Sequence, residues 1–268
     1  MAVLLFYQVA GVSKLFREAA PVLIGLLNPR DLFSAWSHGA AALLAIPATL
    51  LLWRRSRGGR DRRISLLVYG LSMIACYTAS ALFHGLWGPP RWIAICDRLD
   101  HVGIYLFIAG SYTGIAANLF QNRLARLKLL MAWLWAAAGS VVQMVGAPLP
   151  APVATGLYLA MGWGLAIVYC ELLHTHSHRE LRPLLVGGFL YSTGAALNLI
   201  GRPVVWEGFI AAHELFHLFV IAGSLYHFLF VLRVVAARAA EPRSVAVSPA
   251  SRVFATVSIT RPTRAGVV

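Results

Sequence analysis

Apolar residues in this chain fall into seven long runs, each near the twenty or so residues that a helix needs to cross a hydrocarbon layer. The runs are Leu32 to Trp53, Ile64 to Leu86, Leu99 to Leu119, Leu127 to Val145, Val153 to Leu173, Leu184 to Ile200 and Phe209 to Val235. Inside a bilayer the backbone has to satisfy its own hydrogen bonds, so runs of this length predict helices. The connections carry turn and charge residues: Arg57-Gly58-Gly59-Arg60, Gly88-Pro89-Pro90, Gly146-Ala147-Pro148, Arg182-Pro183 and Gly201-Arg202-Pro203. The pattern predicts an all-α integral membrane protein, a seven-transmembrane helix bundle over residues 32–235. The sixth run is the shortest, and its Gly187, Gly188 and Gly194 read as points of close helix packing rather than ligand contacts.

The flanks differ from this core. Residues 1–31 are moderately apolar but interrupted by Lys14, Arg17, Glu18, Arg30 and Asp31, and they lack a basic n-region and a small-residue cleavage site. They read as an interfacial segment, not a signal peptide. After Val235 the chain turns to Arg, Pro, Ser and Thr, so residues 236–268 read as a disordered basic tail.

Composition settles the solvent. Only 12% of the 268 residues are charged and 59% are hydrophobic, whereas soluble domains run near a quarter charged. The net charge of +13 would suggest nucleic acid in a soluble chain, but here Arg residues flank membrane runs, and nucleic-acid binding is excluded. Cys76, Cys96 and Cys170 are scattered and odd in number, so they read as small apolar fillers. Six of the 23 Lys and Arg residues, Lys14, Arg17, Arg30, Arg91, Arg98 and Arg202, fall on the side of the N-terminus, and the other seventeen on the opposite side. The positive-inside rule then places the Arg54 to Arg63 loop and the C-terminus in the cytoplasm of a bacterial-type plasma membrane.

Few polar residues lie at membrane depth. The second run ends Ser80-Ala81-Leu82-Phe83-His84, the third begins Asp97-Arg98-Leu99-Asp100-His101, and the seventh carries His213 and His217. Residues four apart share a helix face, so Ser80 pairs with His84 and His213 with His217. Parity adds to this: in a seven-span protein the second helix ends on the side where the third and seventh begin. Asp100 is expected in the first turn of its helix, at the same depth as the histidines. Three imidazoles with an open fourth position match catalytic zinc, so His84, His213 and His217 are the expected ligands of Zn2+. Zinc lowers the pKa of bound water towards 7, with Asp100 as the candidate base and Ser80 as an auxiliary donor. The plainer alternatives are an Asp100 that pairs with Arg98 or caps its helix, and a Ser80 that bonds back to its own helix. His38, His101 and His227 have no partner at ligand spacing and read as structural hydrogen bonders. The run His174-Thr175-His176-Ser177-His178 reads as a solvated turn on the opposite side.

Together these residues resemble the hemolysin III group of the progestin and adipoQ receptor superfamily. The resemblance covers about residues 34–232 and rests on Ser37-His38-Gly39, Ser80-x-x-x-His84, Asp100-His101, Ile108-Ala109-Gly110-Ser111-Tyr112-Thr113, Gly187-Gly188-x-x-Tyr191-x-x-Gly194 and His213-Glu214-x-x-His217-Leu218-Phe219-Val220. It implies seven helices and a zinc held at His84, His213 and His217 beside Ser80 and Asp100. It also implies similarity to membrane hydrolases such as alkaline ceramidases. Gly114 stands where the group has proline, and Asn198 where it has an aromatic residue; neither is expected to touch the ligands.

The reading that follows is a zinc-dependent hydrolase of a lipid amide or ester, with membrane lipid as substrate and no protein partner predicted. Three others stand beside it. A non-enzymatic regulator of membrane composition, or a receptor-like protein, would use the same zinc structurally. A membrane-damaging hemolysin is suggested only by the family name. His213-Glu214-Leu215-Phe216-His217 also spells the H-E-x-x-H pattern of metalloproteases, but the only acidic residue after Glu214 is Glu241, in the tail.

Overall fold

The computed structural model describes residues 29–56, 59–120 and 123–236. Seven helices long and apolar enough to cross a membrane run Leu32–Arg55, Arg60–Gly85, Pro90–Leu119, Arg123–Val145, Ala151–Leu172, His178–Ile200 and Ala212–Val235. The fold is the expected all-α bundle, and no strand occurs among the described residues. The interfacial reading of 1–31 and the tail reading of 236–268 fall outside the described residues, apart from Pro29 to Asp31 and Ala236.

Neighbouring spans pack in chain order, with the first against the second, the second against the third and the sixth against the seventh, and the seventh returns to the first. The third span is the most enclosed and the fourth the least. Lipid gives helices no hydrophobic reason to associate, so close approach depends on small residues. A Cβ on Gly103 would stand 2.9 Å from the Cys76 backbone, and one on Gly114 2.9 Å from Tyr69. Gly114 is thus a seat for the Tyr69 side chain. Hydroxyls buried at these seams bond back to their own helices, Ser111 to the Phe107 carbonyl at 2.8 Å and Thr113 to that of Ala109 at 2.9 Å.

Three spans depart from the apolar runs. The third begins at Pro90, nine residues before the expected Leu99, because proline is preorganised for the first helical turn, while Arg91, Asp97 and Arg98 interrupt the apolar run. Asp100 therefore lies ten residues into the helix, not in its first turn. The fifth span is broken at Gly164 into Ala151–Trp163 and Leu165–Leu172, and the Tyr112 hydroxyl donates to the Met161 carbonyl beside the break at 3.0 Å. The sixth begins at His178, where Ser177 and Glu180 form a capping box. Arg182 and Pro183, expected in a connection, are consequently inside that helix.

The seam between the second and third spans sets a stability test. Gly103→Ala should destabilise the purified protein by about 1–3 kcal/mol, because the backbone of Cys76 cannot retreat from the new methyl. Gly156→Ala, whose Cβ meets nothing within 4 Å, should leave the melting temperature unchanged or raised. Thermal unfolding in detergent compares the two.

Candidate metal centre

His84 is the penultimate residue of the second helix, and His213 and His217 stand one turn apart at the start of the seventh. The helix ends bring them together. Nε2 of His213 lies 3.3 Å from Nε2 of His84 and 3.2 Å from Nε2 of His217. Tetrahedral zinc with nitrogens at its usual bond length would hold neighbouring donors about 3.3 Å apart. Among the described residues this is the one group of three or more His, Cys, Asp or Glu side chains placed to hold an ion.

Contacts on the far side of each ring decide where its proton sits. Nδ1 of His84 lies 2.9 Å from the Asp31 carboxylate, and Nδ1 of His213 lies 3.1 Å from Oδ1 of Asn198. Both partners accept, so each ring donates from Nδ1 and turns the Nε2 lone pair to the centre. Nδ1 of His217 is buried against the Ser34 backbone without a hydrogen bond of normal geometry. Lone pairs that face one another in a buried site repel unless a cation lies between them. The donor set therefore fits a metal ion, and neutral imidazoles suit zinc better than magnesium or calcium.

Two of these supporting residues, Asp31 and Asn198, have no site role in the sequence reading. Asp31 occupies the N-cap position of the first helix yet makes no cap hydrogen bond. Its carboxylate is diverted to His84, while its backbone N–H donates to the His84 carbonyl at 2.9 Å. Arg30 fastens the same joint by donating to the Phe83 carbonyl at 2.9 Å. Asn198 does touch a candidate ligand, which corrects the expectation that it would not. A polar side chain late in an apolar span is the visible signal, because only such a side chain can accept from His213.

The other candidates sort by contact. Asp100 interacts with Ser80 and with His84, while Arg98 donates instead to the Met144 carbonyl, so the Asp100–Arg98 pairing is not the arrangement adopted. Glu214 of the H-E-x-x-H pattern accepts from the Ala211 N–H at 2.9 Å and from the Ser34 hydroxyl at 3.3 Å, tying down the start of its helix. It is not among the cavity-lining residues, so the geometry gives it no base role. His101 and His227 bond to the Asp97 and Leu184 carbonyls at 2.9 and 3.2 Å, as expected of structural histidines. His38 does not follow them. It is buried with neither ring nitrogen in a normal hydrogen bond, and it stacks on His217 at 3.9 Å between centroids. In the His-rich turn, His176 bonds to Thr175 at 2.8 Å and His178 to Tyr169 at 3.0 Å, and neither joins the metal group.

A cavity of about 390 Å³ opens from this centre into the bundle. Ser80, Asp100, His213 and His217 line its polar end, and side chains such as Phe107, Leu159, Leu165 and Val220 line the remainder.

Residues 27–228 match the family described as Haemolysin-III related. The chain belongs to that family. It is 31% identical over 204 residues to Hemolysin-3 of Bacillus cereus, across 75% of this chain and 90% of the relative. A Hemolysin-3 homolog of Bacillus subtilis (strain 168) is 29% identical over 204 residues, 75% of this chain and 92% of that one. The human monocyte to macrophage differentiation factor is 28% identical over 200 residues, 73% and 80% of the two chains. Family and apolar helices together make this haemolysin-III relative an integral membrane protein.

Elemental analysis and chelator competition test the centre. The intact protein should carry one ion per chain, and His84→Ala and His217→Ala should lose it. Asp31→Ala should weaken retention by about 10–100-fold, the usual loss when the partner of a ligating histidine is removed. His174→Ala should change nothing.

Proposed function

We propose that the protein is a zinc-dependent hydrolase of a lipid amide or ester. The observation that carries this reading is the convergence of three Nε2 atoms at the polar end of an apolar cavity that also holds Asp100 and Ser80. Zinc, when bound by His84, His213 and His217, would supply Lewis acidity towards a carbonyl oxygen and towards water. The chain's own residues do the rest. The cavity admits an acyl chain and holds its carbonyl at the polar end. Asp100 takes the proton of the attacking water and returns it to the leaving amine or alcohol. The Ser80 hydroxyl, beside Asp100, donates to the oxygen on which charge develops.

A second reading also has an observation in its favour. Asp31, Asn198 and the stacked His38 hold the three rings from outside, which suits an ion that ties the first, second, sixth and seventh spans together without turnover. The hemolysin reading rests on the names of the Bacillus relatives, and a cavity walled mainly by apolar side chains is poorly suited to conduct water.

Fatty acid release from short-chain ceramides by purified protein separates these readings. His217→Ala should abolish release. Asp100→Asn should lower it by about 10²–10⁴-fold with the metal still bound, the range expected for loss of a general base. Full metal content with no turnover across a panel of lipid amides and esters would favour the structural reading, and dye leakage from liposomes would favour the hemolysin.

In the plasma membrane we place the connection between the first two spans, with the Arg residues from Arg54 to Arg63 that flank it, and the C-terminus in the cytoplasm, from the bias of Lys and Arg between the two sides. Single cysteines in that connection should resist impermeant thiol reagents in intact cells and react after permeabilisation.

A further inference from the structure

Most glycines on the inner faces of this bundle are filled positions. A Cβ on Gly187 would run into His227, and one on Gly194 would come within 2.6 Å of Phe219. Two glycines behave differently. Gly162 on the fifth span and Gly188 on the sixth both line the cavity, and a Cβ on either meets nothing within 4 Å. They are not packing glycines. They sit near the middle of their spans, and the walls beside them are tied together: Trp163 Nε1 donates to the Ser192 hydroxyl at 2.8 Å, and that hydroxyl donates to the Gly188 carbonyl at 2.8 Å.

From the sequence pattern alone all three glycines of the sixth span read as packing sites. Gly187 and Gly194 are; Gly188, one residue from Gly187 and so turned about a quarter of the way round the helix, faces open space instead.

We infer that Gly162 and Gly188 form the waist of an acyl-chain channel and set the length of chain that the cavity accepts. This rests on the reading of the cavity as a lipid site. The span itself gives the scale. Asn198 contacts His213 at the level of the metal centre, and Gly188 is ten residues earlier on the same helix, about 15 Å away along its axis. An extended chain advances about 1.2 Å per bond, a third of the per-residue reach of an extended backbone, so about twelve carbons separate the centre from the waist. Shorter chains end above it. Longer ones must pass the two glycines towards Leu184, which lines the cavity one helical turn further along the sixth span. A side chain at either glycine closes the passage without disturbing a packed contact.

The test uses the full-length protein in lipid nanodiscs, with saturated fatty acids of about 8, 12 and 18 carbons as probes. Bound acid is read by mass spectrometry after release, and metal content is measured on the same samples. The wild-type protein should hold all three. Gly188→Leu and Gly162→Leu should each keep the shortest and lower the ratio of longest to shortest by about tenfold or more, the discrimination typical of a filled apolar pocket. An unchanged ratio in both variants at full metal content would overturn the inference. So would equal loss of every chain length, or a wild-type protein that binds none of them. Binding with the expected length cut-off but no cleavage of any lipid amide or ester would leave the waist standing and remove the hydrolase reading instead.

Discussion

The structure turns on the repulsion among imidazole nitrogens that face each other at a largely buried point of the bundle. Each ring is committed by its outer contact or its packing. His84 donates to Asp31, His213 donates to Asn198, and His217 is wedged between Ser34 and the face of His38. With the protons of His84 and His213 turned outward, their facing Nε2 lone pairs cannot donate to each other, and in a low-dielectric setting that arrangement is costly. A cation resolves it. The second and seventh spans need not pack tightly over their full length to bring this about, because the donors all sit at helix ends, where the chain direction reverses and the spans can be pinned by local contacts.

The number of spans, their order and the identity of the converging histidines are legible in the sequence, and for one reason. In a bilayer, apolar length translates directly into a helix and parity into a side, so residues far apart in the chain can be put at one depth without knowing how helices pack. Where packing or capping decides, the pattern fails. Pro90 starts a helix ahead of the charges Asp97 and Arg98, which read as the end of the connection, Ser177 and Glu180 start the sixth span inside what reads as a connection, and Gly164 breaks the fifth without any change in hydropathy. Asp31 is invisible for a related reason: an aspartate just before a helix has an ordinary local use, and only the neighbouring chain end reveals that it is employed elsewhere.

Asn198 shows how a polar residue inside a span can be read too narrowly. Taken by itself, a polar residue late in an apolar span looks like a local disturbance. Its amide oxygen is placed to fix the orientation of His213, so its polarity is what the ring requires. Glycines divide in the same way. Gly103 and Gly114 are small because a neighbour fills the space, and Gly162 and Gly188 are small where the space is left open. Residue type alone does not separate the two uses.

The joint between Asp31 and His84 has a bearing on biogenesis. Both of its partners belong to the first helical hairpin, so orienting this donor needs nothing from the later spans. The remaining two arrive on the last span. An ion can be gripped by all three only when insertion is finished, which makes its capture a natural endpoint of assembly and leaves a truncated chain without a full set of donors.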